Sequence, residues 1–508
     1  MKVLGIDVGT GGSRAVLLDE KVRVIDSATF EHVAFASPQT GWAEQHPHDW
    51  GKASKAAIKK VLQKTATPAD EIAAVALTGQ MHGAVLLDEA DRVLRPALIW
   101  CDQRTADECE YLNSRIGPRR IIELTCNPAL TNFTLTKLLW VRKHEPEIWK
   151  RFRSFLLPKD YVRMLLTGER AMDVAEASGT LLLDVANRQW SREMLDYAEL
   201  DERCLPKLYE SPEVVGAISA SGAAESGLKV GTPVIAGAGD QAAGAVGMGI
   251  VAPGAVSATI GTSGVVFAAT DRPALDAKGR VHTFCHAVPG RWHVMGVTQA
   301  AGLSLRWFRD RFGAGAEDGR DPYERLCEEA VMAPSGSDGV LWTPYLMGER
   351  TPHLDPEARA ALVGLNAKHG RSHIIRAMLE GVAFSLRDTL TIFDEMKVPV
   401  REIRLGGGGA RAALWRQIQA DVYGRTVSTV KAEEGAAYGA AILAGVGVGI
   451  WSDVEAACTE VIQISMRSEP DPQSAKVMNE QYAKFRKIYP ALAGLNDTRI
   501  TKAETGAA

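Results

Sequence analysis

Two stretches of this chain share one layout. GIDVGTGGSRAVLLDE (residues 5–20) and SATIGTSGVVFAA (residues 257–269) each run from an apolar strand through a Gly-Thr turn into a second apolar strand. Glycine lets a chain reverse where a Cβ would clash, and the flanking apolar runs read as paired strands. The copies open the two halves of a 508-residue chain. A repeat so placed constrains the fold more than any composition: it predicts one fold unit used twice, with a cleft between its lobes. The segment GMGIVAPGAV (247–256) then holds the boundary. On the residues alone, a chance likeness of two Gly-Thr turns stays open.

The rest of the chain alternates short apolar runs with longer amphipathic stretches. Residues 3–6, 72–77 and 233–236 predict strands; residues 371–397 and 411–421 predict helices. Such alternation is the pattern of an α/β architecture, and a chain this long exceeds one core. A net charge of −4, with aromatics at 6% and not interleaved with Lys or Arg, argues against a nucleic-acid platform. No apolar run approaches the roughly 20 residues of a membrane helix, and MKVLGIDVGT enters a strand at once, which leaves no room for a secretory leader. The 7 cysteines are scattered singly, against a disulfide framework or structural zinc. A cytoplasmic protein with neither membrane nor nucleic-acid partner is the expectation. The polar tail NDTRITKAETGAA is expected to fray.

Four segments carry residues capable of chemistry. In the first turn Asp7 ends a strand and is followed by Gly9, Thr10, Gly11 and Gly12. Backbone N–H groups of such a turn can approach a phosphate. A carboxylate beside phosphate calls for a divalent cation between them, so Asp7 reads as a Mg²⁺-side residue. A plain hairpin with Asp7 as turn former is equally open. The second turn repeats the device without the acid, and Gly261, Thr262, Ser263 and Gly264 can wrap the far end of a phosphate chain. In IRLGGGGARAALWRQIQADVYG (403–424), Gly406 to Gly409 clear side chains from a surface where a flat or anionic ligand would approach, ahead of a helix N-terminus. In GTPVIAGAGDQAAGAVGMG (231–249), the match to G-x-G-x-x-A lacks the acid expected about 20 residues on, which argues against a dinucleotide. Asp240 stands out there instead, a carboxylate at a strand-to-helix corner. Phosphoryl transfer to a hydroxyl needs such an acceptor for the proton; an N-cap for the following helix is the plainer role, and one residue can do both. A P-loop, the protein-kinase motif set, H-E-x-x-H and G-x-S-x-G do not occur. His282 and His286 stand four apart without a third ligand and read as core histidines.

With these segments in place, the chain resembles the FGGY family of carbohydrate kinases, most closely its bacterial xylulokinase branch, from residue 1 to about residue 445. The resemblance is carried by GWAEQHPHDW, TGQMHGAVLLDEADRVLRPALIWCDQRT, KLLWVRKHEPEIW, LLPKDYVRMLLTGE, PYLMGERTPH, GAAYGAAILA and the C-terminal signature AALVGLNAKHGRSHIIRAMLE, with the segments above. It implies two actin-like, ribonuclease H-like α/β domains: a sugar-binding domain over 1–246, an ATP-binding domain over 254–450, and a helical extension over 451–508. It implies Mg²⁺ and ATP as cofactors, phosphorylation of D-xylulose to D-xylulose 5-phosphate, and a homodimer. It further implies that Asp240 is the catalytic base and that Asp7 lies near metal and phosphates. Thr10, Gly11, Gly261, Thr262, Ser263, Gly408, Gly409 and Ala410 then fall on the ATP side, and Met81, His82, Asp240 and Gln241 line the sugar. Gln241 departs from the Asn expected after the Asp, Cys101 from the Asn expected in its motif, and Asn132 is a lesser deviation. Trp42, Glu44, Asp102 and Arg104 either touch sugar or brace the first lobe. Other ketose or polyol kinases (D-ribulose, L-xylulose, L-fuculose, glycerol) and an actin-like ATPase that phosphorylates no sugar remain competing readings. In the bend TGQMHG, Gly79 and Gly83 are expected to shape the turn that presents Met81 and His82.

Overall fold

The computed structural model describes residues 1–495 except 22, 314–318, 433 and 434. Two mixed sheets organise it. The first contains β1 (Lys2–Val8), β2 (Gly12–Leu18), β3 (Val24–Glu31), β4 (Ile72–Gly79), β5 (Val214–Ala217) and β6 (Pro233–Gly239), in the order β5-β6-β4-β1-β2-β3. The second contains β7 (Gly254–Ile260), β8 (Gly264–Thr270), β9 (His282–Cys285), β10 (Trp292–Thr298), β11 (Val400–Gly407), β12 (Val427–Val430) and β13 (Ile464–Ser468), in the order β9-β10-β8-β7-β11-β12-β13.

The echo between the two Gly-Thr turns is an echo of topology. In each sheet the opening strand forms an antiparallel hairpin across its turn, β1 with β2 and β7 with β8. On its other side each pairs in parallel, β1 with β4 and β7 with β11. A further parallel strand follows each, β6 beside β4 and β12 beside β11. This is the duplicated, actin-like α/β plan the chain was expected to adopt.

Helices α1 (Pro47–Lys64), α2 (Thr134–His144), α3 (Pro158–Thr167) and α4 (Asp240–Gly247) come from the first half. The second half supplies α5 (Gly302–Phe312), α6 (Arg371–Glu395), α7 (Ala413–Tyr423), α8 (Gly435–Gly447), α9 (Val454–Val461) and α10 (Pro472–Phe485). The two-residue period of a strand decides what each face meets. Leu4, Ile6 and Val8 pack with Trp50, Ile58 and Val61 of α1 and with Val162 and Leu166 of α3. Val3 lies on the opposite face with Val246 of α4 and Ala437, Ala440 and Ala441 of α8.

Helix α8 therefore follows a strand of the second sheet yet covers the first, so the halves interlock rather than divide cleanly at residue 250. Its crossing with α4 is close because Gly439 carries no side chain: a Cβ there would strike the Ala243 carbonyl. In the second half, α6 lays Met378, Val382, Phe384 and Phe393 on Val256, Ala258, Ile403 and Leu405. The expected helical extension is not wholly helical: β13 adds an antiparallel edge to the second sheet, and α10 buries Met478, Tyr482 and Phe485 in that lobe's core. Residues 496–508 lie outside the described residues.

Candidate active site

Parallel strands end together, and register fixes where. Val8 pairs with Gly79, and Gly79 with Gly239, so β1, β4 and β6 finish in line. The Gly9–Gly12 turn, the Met81–His82 bend and Asp240 thus share one carboxyl edge, where α/β sheets bind ligands. The second sheet repeats this: Ile260 pairs with Gly407, bringing the Gly261–Ser263 turn beside Gly408–Ala410.

Strand alternation puts Asp7 on the face of Val3, towards α4, and Asp240 is the first residue of α4. Burial, then the charge of Asp240, raises the Asp7 carboxyl to about 7, against a lowering by Arg14. Burial raises Asp240 to about 6, offset in part by hydrogen bonds from the backbone and side chain of Gln241. The departure at Gln241 thus folds its longer amide onto Asp240. The N-cap reading of Asp240 is corrected: Gly239 caps α4, and no side chain bonds the cap. The Asp240 carboxyl opens the first turn and accepts the Gln241 N–H there.

Met81 and His82 form one wall beside that helix start. A Cβ on Gly239 would lie 2.9 Å from Met81 Cγ and 3.2 Å from its Sδ. His82 Nδ1 is 2.8 Å from the Gly179 carbonyl, which only accepts, so Nδ1 carries the proton and Nε2 is an acceptor. Burial, with Lys137 and Arg350 nearby, lowers this imidazole to about 3 and keeps it neutral. Lys137 Nζ and Thr134 Oγ1 hold the His82 carbonyl at 2.8 and 3.2 Å. The glycines do not make this bend as expected. His82 itself has φ +67; Gly79 and Gly83 are required because a Cβ would sit 2.8 Å from the Val8 carbonyl or 2.7 Å from Pro158 Cγ. A non-glycine held in the left-handed region is typical of functional sites.

The nucleotide-side residues divide between two adjoining cavities. One of about 270 Å³ is lined by Gly261, Thr262, Gly408 and Gly409 with Ile260, Leu303 and Trp415. The other, about 990 Å³, is lined by Gly408 and Ala410 and reaches Asp240 and Gln241. Both share Gly408 and Arg411, so one cleft runs from Asp240 to the apolar recess. Ser263, Thr10 and Gly11 line neither. The Thr10 hydroxyl is already engaged, accepting from Trp100 Nε1 (2.9 Å) and donating to Gln80 Oε1 (3.3 Å). The glycine run is partly a packing requirement: Gly406 fits against Thr259 and Gly409 against Ile260, while a Cβ on Gly408 would meet only the Ile260 carbonyl at 3.8 Å. Trp42, Glu44, Asp102 and Arg104 brace the lobe. The Arg104 guanidinium stacks 3.6 Å over Trp42 and bonds both Glu44 (2.7 Å) and Asp102 (2.7 Å). His282 faces Asn127 (3.2 Å) and His286 the Ile250 carbonyl (2.8 Å), both buried.

The chain matches the N-terminal domain of the FGGY family of carbohydrate kinases over residues 2–247 and its C-terminal domain over residues 256–448. It belongs to that family. A xylulose kinase of Escherichia coli (strain K12) is 38% identical over 97% of this chain and 99% of its own length. A xylulose kinase of Bacillus subtilis (strain 168) is 36% identical over 97% and 98%. Among solved structures, a xyloylose kinase from Brucella ovis superposes with a TM-score of 0.90 at 37% identity, covering 97% of this chain and 100% of that one. The FGGY protein is thus a sugar kinase, with ATP as the donor its family implies. No helix of the described residues is long and apolar enough to cross a membrane.

In this FGGY kinase a buried charge cluster escaped the sequence reading. Lys159 Nζ bonds Asp160 (2.5 Å) and Asp173 (2.6 Å), and Arg163 bonds Asp160 (3.0 Å), all fully buried. Asp173 caps the short helix Val174–Ala177, whose Glu176 abuts Gly239 and has both carboxyl oxygens buried without a partner among the described residues. Burial raises the Glu176 carboxyl well above the usual range, against a lowering by Lys159, and the charge of Asp240 adds to the rise. The signal was present: charges inside the apolar run LLPKDYVRMLL. Their pairing was not.

Proposed function

We propose that this kinase transfers the γ-phosphoryl group of ATP to the terminal hydroxyl of D-xylulose, with Asp240 as general base. The observation that carries the proposal is Asp240 itself: a carboxylate at a helix start, beside the Met81–His82 wall, at the end of a cleft reaching the second glycine turn. Asp240 accepts the hydroxyl proton as that oxygen attacks phosphorus in line. The His82 Nε2 accepts from a sugar hydroxyl, and the Met81 thioether packs on the carbon face. Gln241 orients the base. Backbone N–H groups at the crests of the Thr10–Gly11 and Thr262–Ser263 turns donate to phosphate oxygens, and the recess between Ile260 and Trp415 takes the nucleoside. Closure of the lobes excludes water and limits wasteful hydrolysis.

Mg²⁺ suits the same edge. Among the described residues no three His, Cys, Asp or Glu side chains cluster as a metal cage, but Mg²⁺ is ordinarily held by one or two carboxylates plus phosphate. Asp7 Oδ1 is buried without a hydrogen-bond partner among the described residues and supplies that ligand. When bound, the ion would neutralise phosphate charge next to Asp7. We also propose a cytoplasmic setting, where ATP is available.

An ATP-coupled assay over D-xylulose, D-ribulose, L-xylulose and glycerol tests the assignment. The highest kcat/KM is expected with D-xylulose; preference for another acceptor, or hydrolysis indifferent to sugar, would overturn it. His82→Ala should raise the D-xylulose KM by about 10-fold or more, the worth of a substrate hydrogen bond with its packing. The ATP KM should change little. Equal effects on both would return His82 to a scaffold role.

A further inference from the structure

The second lobe brings a guanidinium to the wall formed by His82. In PYLMGERTPH, the buried Glu349 carboxylate accepts the N–H groups of Arg350 (2.7 Å) and Gln299 (3.0 Å) and the Thr298 hydroxyl. The next residue, Thr351, donates its N–H to the Val297 carbonyl (3.0 Å) and its hydroxyl to the Arg280 carbonyl (2.8 Å). The Arg350 backbone is thereby pinned between the end of β10 and the approach to β9, next to His282. That histidine belongs to a ring cluster that crosses between the lobes. Phe133 meets His82 at 5.1 Å and His282 at 5.7 Å, and Phe284 meets them at 6.1 and 5.5 Å. The charge of Arg350 is felt at both imidazoles, and it does not figure among the charges acting on Asp7 or Asp240.

The Arg350 side chain is half-buried yet forms no hydrogen bond or ion pair among the described residues. Several other arginines withdrawn from the surface are held by carboxylates: Arg104 by Asp102 and Glu44, Arg188 by Glu210, Arg280 by Asp276. Among the described residues its only neighbouring charge of opposite sign is Glu349, whose carboxylate is already engaged by backbone and hydroxyl donors, so the guanidinium N–H groups stay available to a ligand oxygen beside the substrate wall.

We propose that Arg350 is a specificity-determining residue of the sugar site, reaching from the second lobe to donate to the carbonyl oxygen of an open-chain ketose. This rests on reading the Met81–His82 wall as the sugar site. The donor inventory makes the match. His82 Nε2 can only accept and therefore takes a hydroxyl proton. A guanidinium offers five N–H donors and no acceptor, which complements an oxygen that only accepts. A polyol hydroxyl at that point can also accept an N–H, but it carries a proton that the guanidinium has no lone pair to receive. Arg350 thus favours a ketose over the polyol made by reducing its carbonyl, at the end of the sugar away from Asp240.

The test compares kcat/KM for D-xylulose and for D-arabinitol, its C2-reduced polyol, in the wild type, R350Q and R350K. R350Q should raise the D-xylulose KM by roughly 10–100-fold, the worth of a charge-assisted hydrogen bond. The KM values for D-arabinitol and ATP should move little, so the ketose-to-polyol preference collapses. R350K, which keeps a charged donor, should restore part of it. An active wild type whose R350Q and R350K variants lose both sugars equally, gain in ATP KM, or leave the D-xylulose KM unchanged overturns the role of Arg350 alone. A wild type inactive on D-xylulose overturns the substrate assignment, and this role with it.

Discussion

Asp240→Asn is expected to lower kcat for sugar phosphorylation by about 10²–10⁴-fold, the usual contribution of a positioned general base. The amide keeps the size of the carboxylate but cannot take the hydroxyl proton. Sugar affinity, measured by calorimetry or tryptophan fluorescence, should change only a few-fold, because the Met81–His82 wall is untouched. The pH dependence follows from the same carboxyl. Burial raises Asp240 to about 6, and the group works only when ionised. Activity is therefore present above that pH and lost as pH falls through it, by about tenfold per unit once the base is protonated. Asp7, raised to about 7, interacts with Asp240, so the acid limb belongs to the pair. Asp240→Asn should flatten the part of that limb owed to the base. A variant retaining more than a tenth of wild-type kcat would remove Asp240 from the chemistry.

The second large effect is on folding. Lys159→Met should destabilise the protein by about 3–5 kcal/mol, the cost of breaking a buried ion pair from one side. Its ammonium lies between Asp160 and Asp173, with no exposure on any of the three. Without it, Asp173 must be protonated or left uncompensated in the interior, and Asp160 keeps only Arg163. Urea denaturation measures the loss directly, and an unchanged midpoint would refute it. The damage should reach the site too. Asp173 caps the Val174–Ala177 turn, and Gly179 just beyond it holds His82. A raised D-xylulose KM in whatever fraction still folds is therefore expected alongside the shift in midpoint.

Much of the fold could be read from the chain. The strands over 3–6, 72–77 and 233–236 appear within β1, β4 and β6, and the helices over 371–397 and 411–421 within a residue or two of α6 and α7. Apolar periodicity is a local property, so these elements needed no partner to be recognised. The candidate residues were legible for a related reason: glycine-rich turns and a corner carboxylate stand out against apolar surroundings. What was misread involved contact. Gly79 and Gly83 looked like turn formers, yet Val8 and Pro158 are what exclude their side chains. Asp240 looked like a cap, but Gly239 takes that position. The extension after residue 450 looked helical because its polar strand β13 finds its partner only in the second sheet.

Strands, helices and a glycine turn opening each half were legible in the chain, because turn chemistry and strand period act over a few residues, while the matching topology of the two sheets is what makes the halves a duplication. Only the tertiary structure decided which groups meet. Asp7 and Asp240 lie more than 230 residues apart, and the register of β1, β4 and β6 aligns them at one edge. Helix α8 crosses to the opposite lobe because Gly439 lets it approach α4. Lys159, Asp160 and Asp173 become one cluster, and Arg350 forms no hydrogen bond or ion pair among the described residues, for the same physical reason. Pairing of charges depends on distance after folding, and no local pattern encodes that distance.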